Sequence, residues 1–510
     1  MSVSVDTRAE NLFLRGGARR LSVFSSCNLQ IVEGALPMPE FTKHARFTGR
    51  MVIIGFGSIG QGVLPLFLRH IDMNAGQITV VTAEEAGRAE AEAAGIARFV
   101  VEPITRDNLE AVLTPLVGAG DFLVNLSVDV SSIALFEFAH QRGALYMDTC
   151  IEPWPGGYTD SSVSPSLRSN YALREAAHAR RAAFAGGPTA VLTHGANPGL
   201  VSHFVKQALL NIARDTGVPV AVPQSRGDWG LLAERLGVKV IHIAERDTQV
   251  CAHPKRRNEF VNTWSVDGFV SEGMQPAELG WGSHERHWPL DGNRHDFGCD
   301  AAIWLERPGC STRVRTWTPK EGPFHGFLIT HGESISIADY FTVRDNGVAR
   351  YRPTCHYAYH PCDDAVLSLH EFNGKNYQFQ DTKRLMVDEL VEGIDELGVL
   401  LMGHARGAYW YGSQLSIHQA RELAPFNSAT SLQVTVGVLG AVIWALENPT
   451  AGVVDPDEID FRRILDIATP YLGDVVGVYS DWTPIEGRGV LFREDIDTAD
   501  PWQFKNFRVV

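Results

Sequence analysis

One short string restricts this chain more than any other: Gly55-Phe-Gly57-Ser58-Ile59-Gly60. It ends the apolar run Met51–Gly55 and opens an apolar, helix-like stretch, Ile59–His70. A Gly-x-Gly-x-x-Gly string alone is weak evidence, but between a strand and a helix it has the context of a dinucleotide-binding turn. Gly55 then permits the tight turn, Gly57 the close approach of a pyrophosphate, and Gly60 close helix–strand packing. Ser58 and Ile59 lie in the same turn, where the helix N-terminus offers free N–H groups to the diphosphate.

The next hundred residues keep the same rhythm. Strand Gln77–Val81 precedes an Ala- and Glu-rich helix, Ala83–Ala94. Strand Arg98–Val101, helix Asp107–Leu116, strand Asp121–Asn125, helix Ser131–Gln141 and strand Ala144–Asp148 continue it. Near-continuously apolar strands alternating with helices predict an α/β fold, a doubly wound parallel sheet of Rossmann type covered on both faces. In that sheet an acid at the end of the second strand meets the adenosine ribose. Thr82 stands there instead, with Glu84 and Glu85 just beyond. Two acids there repel a 2′-phosphate, so NAD is expected over NADP. Asn125 and Ser127 follow another strand at the carboxyl edge, where such sheets bind ligands.

Composition narrows the partners. The 510 residues carry 45 Lys+Arg against 60 Asp+Glu, a formal charge of −15. That balance argues against nucleic acid and favours a cationic ligand. Seven cysteines form an odd, sparse count, suited to a reducing cytoplasm. The longest apolar run, Leu432–Leu446, contains Gln433 and Thr435 and is too short to span a bilayer. It is expected as a buried helix between domains, with no membrane partner. Residues 1–48 show no sustained period. Their arginines (Arg8, Arg15, Arg19, Arg20) suggest a transit peptide, but Asp6 and Glu10 break an acid-poor pattern. A disordered extension is the expectation.

Beyond Glu152-Pro-Trp-Pro-Gly-Gly the pattern changes. Helix Tyr171–Ala185 and strand Thr189–Thr193 lead to Gly195-Ala-Asn197-Pro-Gly199 and a helix beginning near Leu200. From about 235 to 365 the chain is β-rich: Val238–Ala244, Glu259–Trp264, Ala301–Leu305, Thr312–Trp317 and Phe327–Thr330. The expected division is a cofactor domain over 49–195, a larger mixed α/β substrate and dimerisation domain over 196–425, a returning helix in 426–455, and a turn-rich surface segment over 456–510.

Polar clusters close several strands: Asp129, Glu152, Glu245-Arg246-Asp247, Asn262 to Asp267 with Glu272, and His331 with Glu333. For any one acid a solvated turn or an Arg pair is the plainer reading, and Glu245 beside Arg246 is its sharpest example. Cys355-His356-Tyr-Ala-Tyr-His360-Pro-Cys362 lacks the paired spacing of a zinc site, so no metal is expected.

Longer strings carry a resemblance. Gly55–Gly60, Asn125-Leu-Ser-Val-Asp129, Asp148-Thr with Glu152-Pro-Trp154, Arg168–Arg174 and Gly195–Gly199 resemble the bacterial homospermidine synthases. So do His242–Gln249, Asn262-Thr-Trp264-Ser-Val, Glu272-Gly with Gln275–Gly282, Leu328–His331, Tyr351–Cys362 and Tyr409–Gln414. The resemblance covers about 50 to 510, and that family is similar to the saccharopine dehydrogenases. It departs in the extension and at Thr82.

The resemblance implies a homodimeric, NAD-dependent aminobutyltransferase. One putrescine is oxidised to an imine, a second attacks, ammonia leaves, and the same NADH reduces the new Schiff base to homospermidine. It points to Glu152, Glu245 and Glu272 as the leading acids for the substrate's ammonium groups, with Asp129 and Glu333 behind them. Trp264 is placed to stabilise an iminium cation, His331 to move a proton, and Asn197 to hold an amine or the nicotinamide. Two competing readings remain. A saccharopine-type amino-acid dehydrogenase needs Arg or Lys for substrate carboxylates, and a non-catalytic NAD-sensing protein needs no acid cluster.

Overall fold

The N-terminal turn sits where its spacing puts it, between strand Met51–Ile54 and helix Ser58–His70. The computed structural model describes residues 41–510. Most of the expected extension, residues 1–40, lies outside the described residues. Its last part is ordered: Ala45–Arg46 pairs parallel with Ile71–Asp72, and Phe47 is buried.

Among the described residues, seven parallel strands form the cofactor sheet. Their order is Val453–Val454, Ala190–Val191, Leu145–Asp148, Phe122–Asn125, Met51–Ile54, Ile78–Thr82 and Arg98–Val101. The three central strands from Leu145 to Ile54 are buried throughout, as near-continuous apolar runs require. Helices Ser58–His70 and Ala429–Glu447 pack on one face, Leu109–Leu113 and Ser132–Arg142 on the other. Chain order reverses across Met51–Ile54, which opens a crevice at the carboxyl ends of that strand and of Phe122–Asn125.

A larger mixed sheet carries the rest. Strand Val240–Asp247 runs at its centre, parallel to Thr354–His360 and antiparallel to Ile394–His404. Ile394–His404 turns back as Gly407–Ser416, and helix Leu200–Asp215 packs on that hairpin.

Helix Ala429–Glu447 joins the two sheets. Its 19 residues exceed the apolar run read from sequence and are enough, by length and composition, to cross a membrane. Yet 83% of its apolar window is buried in the protein, against Ser58–His70 and Phe461–Ala468. Gly437 on it lies so close to the Gly195 turn that a Cβ would come within 2.0 Å of the Gly195 carbonyl oxygen. The chain leaving this helix supplies Val453–Val454, the edge strand of the cofactor sheet.

Several expected elements change. Helix Ala83–Ala94 shrinks to Arg88–Ala93, because Gly87 adopts φ +85 and makes Ala83–Gly87 a turn. Asp107–Leu116 is helical only over Leu109–Leu113. Tyr171–Ala185 divides into Asn170–His178 and Arg181–Phe184. The run Leu328–Thr330 is buried but lies just past its strand, Gly322–Phe327. The expected surface tail is the largest correction. Asp474–Ser480 extends the mixed sheet beside Gly407–Ser416, and Arg508–Val509 pairs with Arg313–Thr318. Trp482, Trp502, Phe504 and Phe507 are buried against that sheet, and burying such rings removes about 150–250 Å² each from water.

Candidate active site

The two sheets meet around a partly enclosed cleft. The cofactor side contributes Ile59, Ser127 and Glu152; the mixed-sheet side contributes Glu245, Trp264, Glu272, His331 and Tyr357. Asn197, on the turn between them, completes the set of sequence candidates that the fold gathers here.

The glycine string fits a dinucleotide. Gly55 has φ +84, and a Cβ there would meet the Leu126 carbonyl oxygen at 2.7 Å. A Cβ on Gly60 would meet Gly55 O at 2.8 Å, whereas one on Gly57 would project into open space, the approach a pyrophosphate needs. Gly57 caps the Ser58–His70 helix without a side-chain bond, so the first N–H groups, starting with Ser58, remain available to an anion. Asn125 is buried, and its Oδ1 accepts from Ser127 Oγ (2.6 Å) and Ser127 N (3.2 Å). It shapes the turn that presents Ser127. Thr82 ends its strand outside the cleft lining, and Glu85 is bonded to Arg88, which offsets the charge expected to repel a 2′-phosphate.

The acids differ in their surroundings. Glu245 and Arg246 are neighbours on a strand, so they point to opposite faces. Arg246 pairs with Glu321 and Asp363. Glu245 faces the cleft, where its Oε2 accepts from Asn197 Nδ2 (2.8 Å) and the Tyr357 hydroxyl (2.5 Å). The Arg-pair reading of Glu245 is therefore overturned. Burial pushes its carboxyl well above the usual range, and Asp247 adds to that, while the Tyr357 bond opposes it.

Glu152 is 3% exposed, and its Oε2 has no protein partner among the described residues. Burial, reinforced by Glu272, raises it to about 8.

His331 lies between two carboxylates. Its Nε2 is 3.0 Å from Glu272 Oε2 and its Nδ1 3.2 Å from Glu333 Oε1. Burial alone would favour the neutral ring, but Glu333 and Glu272 together outweigh it and lift His331 to about 10. An ordinary imidazole, near 6.5, would be largely neutral at pH 7; here the ring is held as an imidazolium donating to both carboxylates. Glu333 lies behind His331 and does not line the cleft.

Trp264 occupies the loop between strand Glu259–Asn262 and helix Val266–Met274, with Nε1 donating to the Tyr359 hydroxyl at 3.1 Å. Ser265 caps that helix by accepting from Gly268 N, and the helix carries Glu272 into the cleft. Asp129 is not brought in. It is exposed, at φ 63, and outside the cleft lining.

Asn197 owes its position to glycine. Gly199 has φ +125, and a Cβ there would lie 2.2 Å from Gly195 O. The turn closes on itself by a Gly195 N to Pro198 O bond of 2.7 Å.

Sequence reasoning missed Tyr357, Cys150 and Thr430, which also line the cleft. For Tyr357 a signal existed: Tyr357 and Tyr359 are two apart on a strand and share a face.

Comparison with known proteins gives the same outline. Residues 51–191 match the saccharopine dehydrogenase NADP binding domain, and residues 195–478 the saccharopine dehydrogenase C-terminal domain. The homospermidine synthase of Blastochloris viridis is 57% identical over 476 residues, 92% of this chain and 100% of that protein. The homospermidine synthase of Mesorhizobium japonicum is 52% identical over 473 residues, 91% of this chain and 97% of that one. The crystal structure of the Legionella pneumophila homospermidine synthase in complex with NAD superposes with a TM-score of 0.85 at 47% identity, covering 91% of this chain and 98% of that chain.

Proposed function

The chain belongs to the homospermidine synthase family, and we propose that it joins two putrescines into homospermidine with release of ammonia, as a transferase with NAD as its prosthetic group. The observation that carries this reading is the charge of the cleft. Glu152, Glu245 and Glu272 line it, and His331 is the one basic side chain lining it among the described residues. No Lys or Arg among the described residues lines it to receive a substrate carboxylate, which disfavours an amino-acid dehydrogenase. A diamine, dicationic near neutral pH, matches this lining.

NAD would be held by Gly55, Gly57, Ser58 and Gly60 with the helix N-terminus behind them, and by the turn of Ser127; when bound, it supplies a hydride acceptor that later returns the hydride. The remaining work falls to side chains. Glu245, oriented by Asn197 and Tyr357, binds one ammonium by a charge-assisted bond, the strong kind. Glu152 and Glu272 receive a second. An ammonium there competes with His331 for Glu272, which weakens the hold on the imidazolium proton and frees His331 for proton exchange. The face of Trp264 stabilises the iminium cation between the two halves by about 0.5–2 kcal/mol. Two dications enter; a trication and an ammonium leave, so charge balances without net proton uptake. The family reading carries a homodimer with it.

Incubation with putrescine and catalytic NAD, without added reductant, tests the proposal. Triamine and ammonia are expected in equal amounts with no build-up of free NADH. NADH formed in step with product would refute the redox-neutral cycle.

A further inference from the structure

Glu245 is held by two donors, and only one of them belongs to the turn already described. Tyr357, 3% exposed, stands on strand Thr354–His360, in parallel register with the Glu245 strand. Its ring stacks on Tyr359, centroids 5.1 Å apart and 8° from parallel, and lies 4.5 Å from the His331 ring. Both the phenol and Asn197 Nδ2 reach the same oxygen, Oε2. Oε1 accepts from no protein group among the described residues, and it is not sealed from the cleft.

We infer that Tyr357 is a positioning residue for the diamine: it fixes Oε2 of Glu245 and so keeps an ionised Oε1 aimed at the substrate ammonium. This rests on reading the cleft as a diamine site. The need for a dedicated donor comes from the company Glu245 keeps. Asp247 lies on its own strand and Asp395 on the adjacent strand, both fully buried; Tyr359, His331 and Tyr357 face it from the other elements. Arg246 points to the opposite face and does not compensate. Three buried carboxyl groups in one patch favour protonation, and a protonated Glu245 would not attract an ammonium. The phenol opposes that outcome. Burial and Glu245 itself push its own titration far above the ordinary range, so it remains a donor at any pH the enzyme meets.

The test is Tyr357→Phe, which keeps the stack and removes the hydroxyl, measured alone and in a Glu245→Gln background. Near neutrality KM for putrescine should rise about 10- to 100-fold, the loss expected for a hydrogen bond to a charged group. The acid limb of kcat/KM should move to higher pH, and the deficit should narrow above it. Thermal stability and NAD affinity should stay near wild type. In the Glu245→Gln background, where turnover collapses, the same change should alter the Kd for putrescine, measured by calorimetry on the NAD-loaded protein, by less than about twofold, because the route runs through Glu245. A pH-independent loss that tracks melting temperature would overturn the assignment, as would an undiminished effect in the Glu245→Gln background. Wild-type protein that makes no triamine would bring down the diamine reading itself; wild-type activity with an unmoved acid limb in the Phe variant would bring down only this inference.

Discussion

Replacing Glu272 with Gln removes one of the two negative charges that keep His331 protonated while leaving side-chain size unchanged. Its two carboxylates hold the buried ring at about 10 against an ordinary 6.5, a difference on the order of 5 kcal/mol in favour of the folded protein. Because the folded value is raised, that stabilisation is fully present below pH 6.5 and is lost as pH climbs through about 10. A charge-assisted bond accounts for about 1.5–3 kcal/mol, or about 1–2 pKa units, so His331 should titrate that much lower in the variant. Glu152 changes in the same sense. Burial and Glu272 raise it to about 8, and removing Glu272 relieves the second cause. Folding free energy from urea melts, collected from pH 6.5 to above 10, reads both effects. Wild type should exceed Glu272→Gln by about 2 kcal/mol at the lower end, with the gap closing toward the upper end. Direct NMR titration of the His331 ring gives the same quantity independently. A wild-type ring titrating at or below 6.5, or a gap constant with pH, would refute the reasoning.

The remaining predictions use single substitutions. Glu245→Gln leaves a buried ammonium without its partner, at about 2–5 kcal/mol, so turnover with putrescine should collapse while NAD binding, measured by fluorescence, survives. For Trp264, activity should fall in the order Phe, Ala, Lys, as the ring face weakens, disappears and is replaced by a like charge; a folded, fully active Ala variant would exclude cation stabilisation. Gly199→Ala should lower stability by about 2–4 kcal/mol, seen as a reduced Tm, because the residue sits at φ +125 with Gly195 O only 2.2 Å from the added Cβ.

Much of the cofactor sheet was legible because its signals are local. A run such as Met51–Ile54, apolar on both faces, and a glycine at each tight place leave few alternatives. The surface tail was misread for the opposite reason: Asp474–Ser480 is a strand only because Gly407–Ser416 lies beside it, and pairing over that distance leaves no local period. The site divides the same way. Polar clusters after strands were readable, and the family resemblance singled out Glu152, Glu245, Glu272 and His331 among them. Their charge states were not, since the carboxylate on His331 Nε2 comes from a different helix, Val266–Met274. Adjacent residues on a strand face opposite ways, so Arg246 was never placed to neutralise Glu245.

That orientation explains how a cleft so rich in acids can exist before its substrate arrives. Burying several carboxylates together is unfavourable unless each is paired, bonded or protonated. This protein uses all three means. Glu272 and Glu333 are paired through the His331 imidazolium, Glu245 is bonded by Asn197 and Tyr357, and Glu152, at about 8, keeps its proton at neutral pH. A dicationic amine adds positive charge beyond the single imidazolium of His331, and among the described residues no lining Lys or Arg stands in its place. On the proposed reading its entry would favour ionisation of Glu152 and loosen the His331 proton, linking binding and proton release at the same side chains. On the proposed reading, selectivity for a diamine over an amino acid would come from the same groups: a substrate carboxylate would add one more negative charge to a patch whose own charges are held by protons, hydrogen bonds and one imidazolium.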